Sequence, residues 1–166
     1  MDSETRVYKA APMEPVIIVV TLFIVGLMAY MIYGGLTWER GLLGTAGFLA
    51  VLIVLCAQYK PVNYEIGRDS VRIVRGWPFP PTTIPISSVT DVDMLKLKGL
   101  TIRTFGVGGL FSASGWFWNK ATGSFFGAIT DSKSAIMITA NKKYAISPED
   151  PQRFIEDLRE HTGLGV

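Results

Sequence analysis

PVIIVVTLFIVGLMAYMIYGGLTWERGLLGTAGFLAVLIVLCAQY, residues 15–59, contains two charged residues, Glu39 and Arg40. The flanking runs, Pro15–Trp38 and Gly41–Tyr59, carry none. As helices rising ~1.5 Å per residue they would reach ~36 Å and ~28 Å. The hydrocarbon core of a bilayer is ~30 Å thick, so each run is long enough to cross it. The whole 166-residue chain is 18% charged, against about a quarter in soluble domains, and much of the deficit lies in this stretch. A buried core hairpin would need a shell of residues that so small a chain cannot provide. A cleaved signal peptide fits poorly, despite the basic start at Arg6 and Lys9. The apolar run is too long, and a second follows at once.

Tyr30, Tyr33 and Trp38 cluster at the far end of the first run, and Tyr59 closes the second. Aromatic rings favour the headgroup level, so these positions read as interfacial belts. The turn at 34–40 is too short to hold a domain, so both termini are expected on one side. Positive charge near span ends marks the cytoplasmic side. The turn supplies only Arg40, whereas the opposite side has Arg6, Lys9, Lys60 and Arg68. A cell-membrane protein with two spans, both termini cytoplasmic, is the expectation. Neither run contains an ionisable acid or base, which argues against a transporter or proton relay. Gly44 and Gly47 are expected to let the two helices approach closely. Cys56 is the only cysteine, so an intramolecular disulfide and a Cys/His metal cluster are both excluded.

Residues 1–14 read as a short flexible tail. From Lys60 onward the texture changes. Thirteen Lys or Arg against ten Asp or Glu leave a net charge of +3, which is no nucleic-acid footprint. Strands are expected at Val62–Ile66 and Ser70–Arg75 around the turn Gly67-Arg68-Asp69, then at Thr82–Ile86, Thr90–Leu97 and Leu100–Phe105. Trp77-Pro78-Phe79-Pro80-Pro81 cannot be a central strand, because proline lacks the ladder donor. Gly106–Gly115 reads as a long loop. Short strands follow at Trp116–Trp118, Ser124–Thr130, Ser134–Ala140 and Tyr144–Ile146. The chain closes in a helix over 148–162, with Ser147 as its cap, Pro148 at its first position and Phe154, Ile155 and Leu158 on one apolar face.

Many short strands followed by one helix is the order of a pleckstrin-homology-like barrel. Tyr64-Glu65-Ile66 with Val71-Arg72-Ile73 resembles the opening hairpin of the bacterial pleckstrin-homology-like families. Ile84-Pro85-Ile86-Ser87-Ser88-Val89 is similar to their turn into the next strand. Gly108-Gly109-Leu110-Phe111, Gly115-Trp116-Phe117, Asn119-Lys120 and the closing Ile146-Ser147-Pro148-Glu149-Asp150-Pro151 with Phe154 resemble a form in which two spans precede the domain. The resemblance implies an α+β, mainly β fold: a helical hairpin, then a seven- to eight-stranded barrel over 60–166 capped by the helix. It implies membrane attachment and a binding module, with no catalytic residue, cofactor or metal.

Two surfaces are candidates. Lys60, Arg68, Arg72 and Arg75 are possible contacts for anionic lipid headgroups, but Arg72 and Arg75 are three apart and so face opposite sides of a strand. Phe111, Trp116, Trp118 and Lys120, with Phe105 and Phe117 nearby, are the candidate partner or lipid surface, expected on an irregular, exposed segment over 106–120. A protein partner is the leading expectation; a structural subunit of a membrane complex or a self-associating homo-oligomer, or the binding of anionic-lipid headgroups, are the alternatives. Asp91 and Asp93 read as a solvated strand face rather than an acid–base pair. The glycines at 106, 108 and 109 lack the Lys-Ser/Thr of a phosphate loop.

Overall fold

The computed structural model describes residues 5–96, 100–108 and 110–164. Strand β1 (Arg6–Lys9) precedes two long helices, α1 (Pro15–Thr37) and α2 (Gly41–Tyr59). β2 (Pro61–Ile66), β3 (Ser70–Arg75) and β4 (Thr82–Pro85) follow, then a single 3-10 turn at Ile86–Ser88. β5 (Asp91–Met94), β6 (Thr101–Gly108), β7 (Ala113–Asn119), β8 (Gly123–Ile129), β9 (Ile136–Thr139), β10 (Lys143–Ile146) and α3 (Pro151–Thr162) complete the chain. The fold is α+β, mainly β: two apolar helices, ten strands in two sheets, and a C-terminal helix.

One sheet runs β1-β2-β3-β4 and the other β5-β9-β10-β8-β7-β6. Both contribute to one core. Tyr64, Ile66, Val71, Ile73 and Ile84 from the first meet Val92, Phe126, Ile136, Ile138 and Ile146 from the second. α3 closes it with Phe154, Ile155 and Leu158, all buried, each worth roughly 1.5–3 kcal/mol of apolar burial. The expected barrel of seven or eight strands is thus ten strands in two sheets, which form no closed ring among the described residues.

Three further expectations change. The described part of the N-terminal tail is not a loose end. β1 pairs antiparallel with β2, and Tyr8 packs edge-on against Phe154 with ring centroids 4.9 Å apart. The Tyr8 hydroxyl also donates to Asp157. The helix starts at Pro151, not Pro148, because Asp150 is the cap and accepts from the Arg153 N–H at 3.1 Å. The Ser147 hydroxyl is committed elsewhere: it accepts from the Thr130 N–H at 2.8 Å. Finally, 106–115 is mostly strand. Gly106 faces Gly115 across β6 and β7 at φ +124° and +144°. A Cβ on either would lie within 2.5 Å of the facing strand's backbone, so the glycines serve close strand approach rather than a loop.

The helices are close at the turn. A Cβ at Gly35 would lie 2.7 Å from the Leu43 side chain, and Ala46 is buried. Gly44 and Gly47, expected at the seam, have nothing within 4 Å of a Cβ position. Both helices are long and apolar enough to cross a membrane, and almost none of either is buried against the rest of the chain. Residues 1–4, 97–99, 109 and 165–166 lie outside the described residues, and with them the expected Lys98-Gly99 turn.

Candidate functional site

The helical hairpin meets the domain at two places. α2 runs into β2 with only Lys60 between them. There the Gly76 N–H donates to the Gln58 carbonyl at 2.9 Å, and Phe79 stacks edge-on against Tyr59 with centroids 5.0 Å apart. A Cβ at Gly76 would lie 2.0 Å from the Gln58 side-chain amide oxygen and 3.1 Å from the Gln58 carbonyl, so the loop and the end of α2 are in close contact here. At the other place, the Glu14 N–H donates to the Thr130 carbonyl at 3.0 Å. Within the first two turns of α1, Thr21 accepts from the Phe111 N–H at 3.4 Å. Ile17 and Thr21 are buried, unlike most of α1.

These contacts define a helix-facing end of the domain and divide the predicted residues between its two ends. Phe111 sits at the tip of the β6–β7 hairpin, half-buried, in a left-handed conformation with φ 60°. Trp116 is half-buried and packs against Phe126 at 5.6 Å, with the Lys142 ammonium 5.5 Å from its ring centroid. Trp118 is 42% exposed and lies five residues along β7 from Ala113, ~17 Å from the helix-facing end at ~3.3 Å per residue. Lys120 is in the exposed turn beyond it. Phe111 is therefore one surface, and Trp118 with Lys120 another.

The four cations are divided in the same way. Lys60 caps α2. Arg68 is exposed in the β2–β3 turn, at the opposite end of that hairpin from the Pro61–Arg75 pair. Arg72 is exposed and pairs with Glu65 at 3.4 Å. Arg75 points the other way and is buried, with its guanidinium 4.9 Å from the Tyr59 ring centroid and 5.5 Å from that of Phe126. Its Nη1 donates to Thr82 Oγ1 at 2.8 Å, while Nε and Nη2 are buried with no hydrogen-bond partner among the described residues. Burial lowers its pKa from the usual guanidinium value, against the opposing influence of Tyr59 and Tyr64. These residues do not form a common headgroup site.

Two exposed apolar groups go beyond the sequence pattern. Along the edge strand β6, Phe105, expected near the candidate surface, is 77% exposed, and it is joined by Ile102 at 47% and Leu100 just before the strand at 75%, which the pattern misses. Ile102 faces Trp118 across the ladder. The second is Trp77, 87% exposed in the loop that touches the end of α2. The proline-rich stretch marks that loop as a turn, but only the fold shows where it lies. A groove between β1 and α3 has mixed charge: Arg6, Lys9 and Arg153 against Glu149, Asp150, Asp157 and Glu160. Arg6 already pairs with Asp157 and, at 3.4 Å, with Glu160, so this groove is no one-sign ligand site.

The two sheets closed by a C-terminal helix define a pleckstrin-homology-like class of domain. The family model for the bacterial PH domain matches residues 62–162, and the chain belongs to that family. No curated protein and no solved structure matches the chain.

Proposed function

We propose that the chain is a membrane-anchored binding module whose non-catalytic domain stands at the cytoplasmic face and receives a protein partner on the β6 edge. Domains of this class are typically non-catalytic binders. The observation that carries the reading is β6 itself. It is the terminal strand of the six-stranded sheet, and Leu100, Ile102, Phe105 and the neighbouring Trp118 are all exposed. An unpaired strand edge invites pairing with another chain, and proteins usually blunt such edges with charge. Here Arg103 is the single charged residue on β6. Lys120 would lie at the rim of this surface. The scattered cations weigh against a headgroup-binding site as the main function.

Self-association is the second reading, favoured by the open face at Gly44 and Gly47 of α2. A photo-crosslinking residue at Ile102 or Trp118 in native membranes, followed by mass spectrometry, separates the two. A discrete adduct with another protein is expected. Adducts with the chain itself would favour the oligomer, and lipid alone would sink the partner reading.

A further inference from the structure

Among the described residues of the domain, Trp77 is the most exposed large apolar side chain, and no described part of the chain covers it. Its neighbours place it. Gly76 is hydrogen-bonded to Gln58, one residue before the end of α2, and Phe79 stacks on Tyr59. At the other helix, the Phe111 N–H reaches Thr21 of α1. The helices are antiparallel about the turn at Trp38–Arg40. At equal rise per residue, Tyr59 lies level with about Val19–Thr21 of α1. Both loops therefore meet the helical hairpin at one height, where α2 ends and Lys60 begins.

If the helices span a bilayer, that height is the membrane–water boundary, where tryptophan and tyrosine concentrate. Resting on that membrane-anchored reading, we propose that Trp77 on one side and Leu110 with Phe111 on the other enter the lipid interface beside the spans. They hold the domain against the bilayer at two points besides the covalent tether. Composition agrees with this surface. Residues 76–82 and 110–114 contain no charged residue, and Lys60 and Arg75 lie beside the first loop. The prolines at 78, 80 and 81 stiffen that loop, so little conformational freedom is lost when Trp77 enters lipid. The occupant is lipid because the patch is continuous with the apolar surface of the spans. The β6 surface around Trp118 lies at the other end of the domain, away from them.

The test uses the full chain in liposomes of phosphatidylcholine and phosphatidylglycerol whose acyl chains are brominated near the headgroup. Three forms each retain one tryptophan, Trp38, Trp77 or Trp118, with the other tryptophans changed to phenylalanine. Trp77 is expected to emit at shorter wavelength, to lose intensity to the brominated lipid and to resist aqueous iodide. Trp118 should show the reverse. Trp38, at the turn between the spans, reports on anchoring itself. Quenching of Trp38 with none of Trp77 overturns the two-loop contact and leaves anchoring intact, whereas lipid-insensitive Trp38 overturns the membrane reading as well. Trp116 contributes to the core, so the single substitution Trp77→Ala in the otherwise natural chain provides a second measurement. It should remove a lipid-quenchable component of the emission, and unchanged quenching would contradict the proposal.

Discussion

Tyr64 shows how much one buried hydroxyl can hold together. Its side chain is fully buried, yet the hydroxyl donates to the Ala128 carbonyl at 2.8 Å and accepts from the Ser147 N–H at 3.3 Å. Ser147 Oγ then lies 3.0 Å from Thr130 Oγ1, which donates to the Ala11 carbonyl at 2.7 Å. This chain of bonds ties β2, β8, the approach to α3 and the segment before α1. Burial pushes the Tyr64 pKa up to about 12 from 10.0, while its bonds with Ser147 and the charge of Arg75 act to lower it. The neutral phenol is the form that fits the fold. Its contribution to stability is complete below pH 10 and is lost as the pH rises through about 12, amounting to roughly 3 kcal/mol across that window. Replacing Tyr64 with Phe should cost about 1–3 kcal/mol at neutral pH, because Ala128 O and Ser147 N lose their partner. It should also flatten the alkaline loss. Unfolding midpoints from pH 8 to 12 would check both, and an equally steep alkaline loss in the variant would refute the assignment.

At the scale of elements, legibility in the sequence depends on how local the cause is. The apolar helices follow from runs without charge. β2 and β3 follow from alternating Val71, Ile73 and Arg75, all buried, against exposed Arg72 and partly buried Val74. β1 escapes a reading of the sequence because Arg-Val-Tyr-Lys is an ordinary polar tetrapeptide until β2 and α3 are folded beside it. The inner part of the β6–β7 hairpin, 106–115, reads as a loop because glycine weakens an isolated strand, whereas here Gly106 faces Gly115, and Gly115 faces Gly127. The Phe117 ring lies 2.7 Å from where a Gly127 Cβ would stand. The candidate surface divides for the same reason. The pattern puts Trp116 and Trp118 on one face, but only strand register tells which end of β7 meets α1. β1 offers a direct test of its own role. Tyr8→Ala removes the ring against Phe154 and the bond to Asp157, and should destabilise the domain by roughly 2–3 kcal/mol, toward the lower end of aromatic truncations because Tyr8 is only partly buried. Thermal unfolding of the full chain in mild detergent would measure it. An unchanged midpoint would mean that the Tyr8 side chain adds nothing to the docking of β1.

At the scale of the whole molecule, β1 also constrains topology. It precedes α1 in the chain and yet lies in the same sheet as β2, β3 and β4, which follow α2. The ladder runs from Arg6–Ile66 to Lys9–Asn63, and Ala11 and Glu14 bond to Ser147 and Thr130 of the domain. The segments before α1 and after α2 must therefore share one side, independently of any count of charges. Two crossings satisfy this condition and one does not. Charge then chooses the side: Arg6, Lys9, Lys60 and Arg68 stand with the domain, and Arg40 stands alone at the turn. Cytoplasmic loops collect Lys and Arg, so both termini should be cytoplasmic. A reporter that is active only in the cytoplasm should work when fused at Val166. An alkaline phosphatase that is active only outside should work when inserted between Trp38 and Glu39. Changing Arg6 and Lys9 to Gln should weaken the orientation bias without separating the two termini, because the β1–β2 ladder holds them together and Arg6 pairs with α3 through its side chain rather than its backbone. Activity of an external reporter at Val166 would reverse the side on which the domain stands. It would also place the β6 surface outside the cell and replace cytoplasmic partners with extracytoplasmic ones.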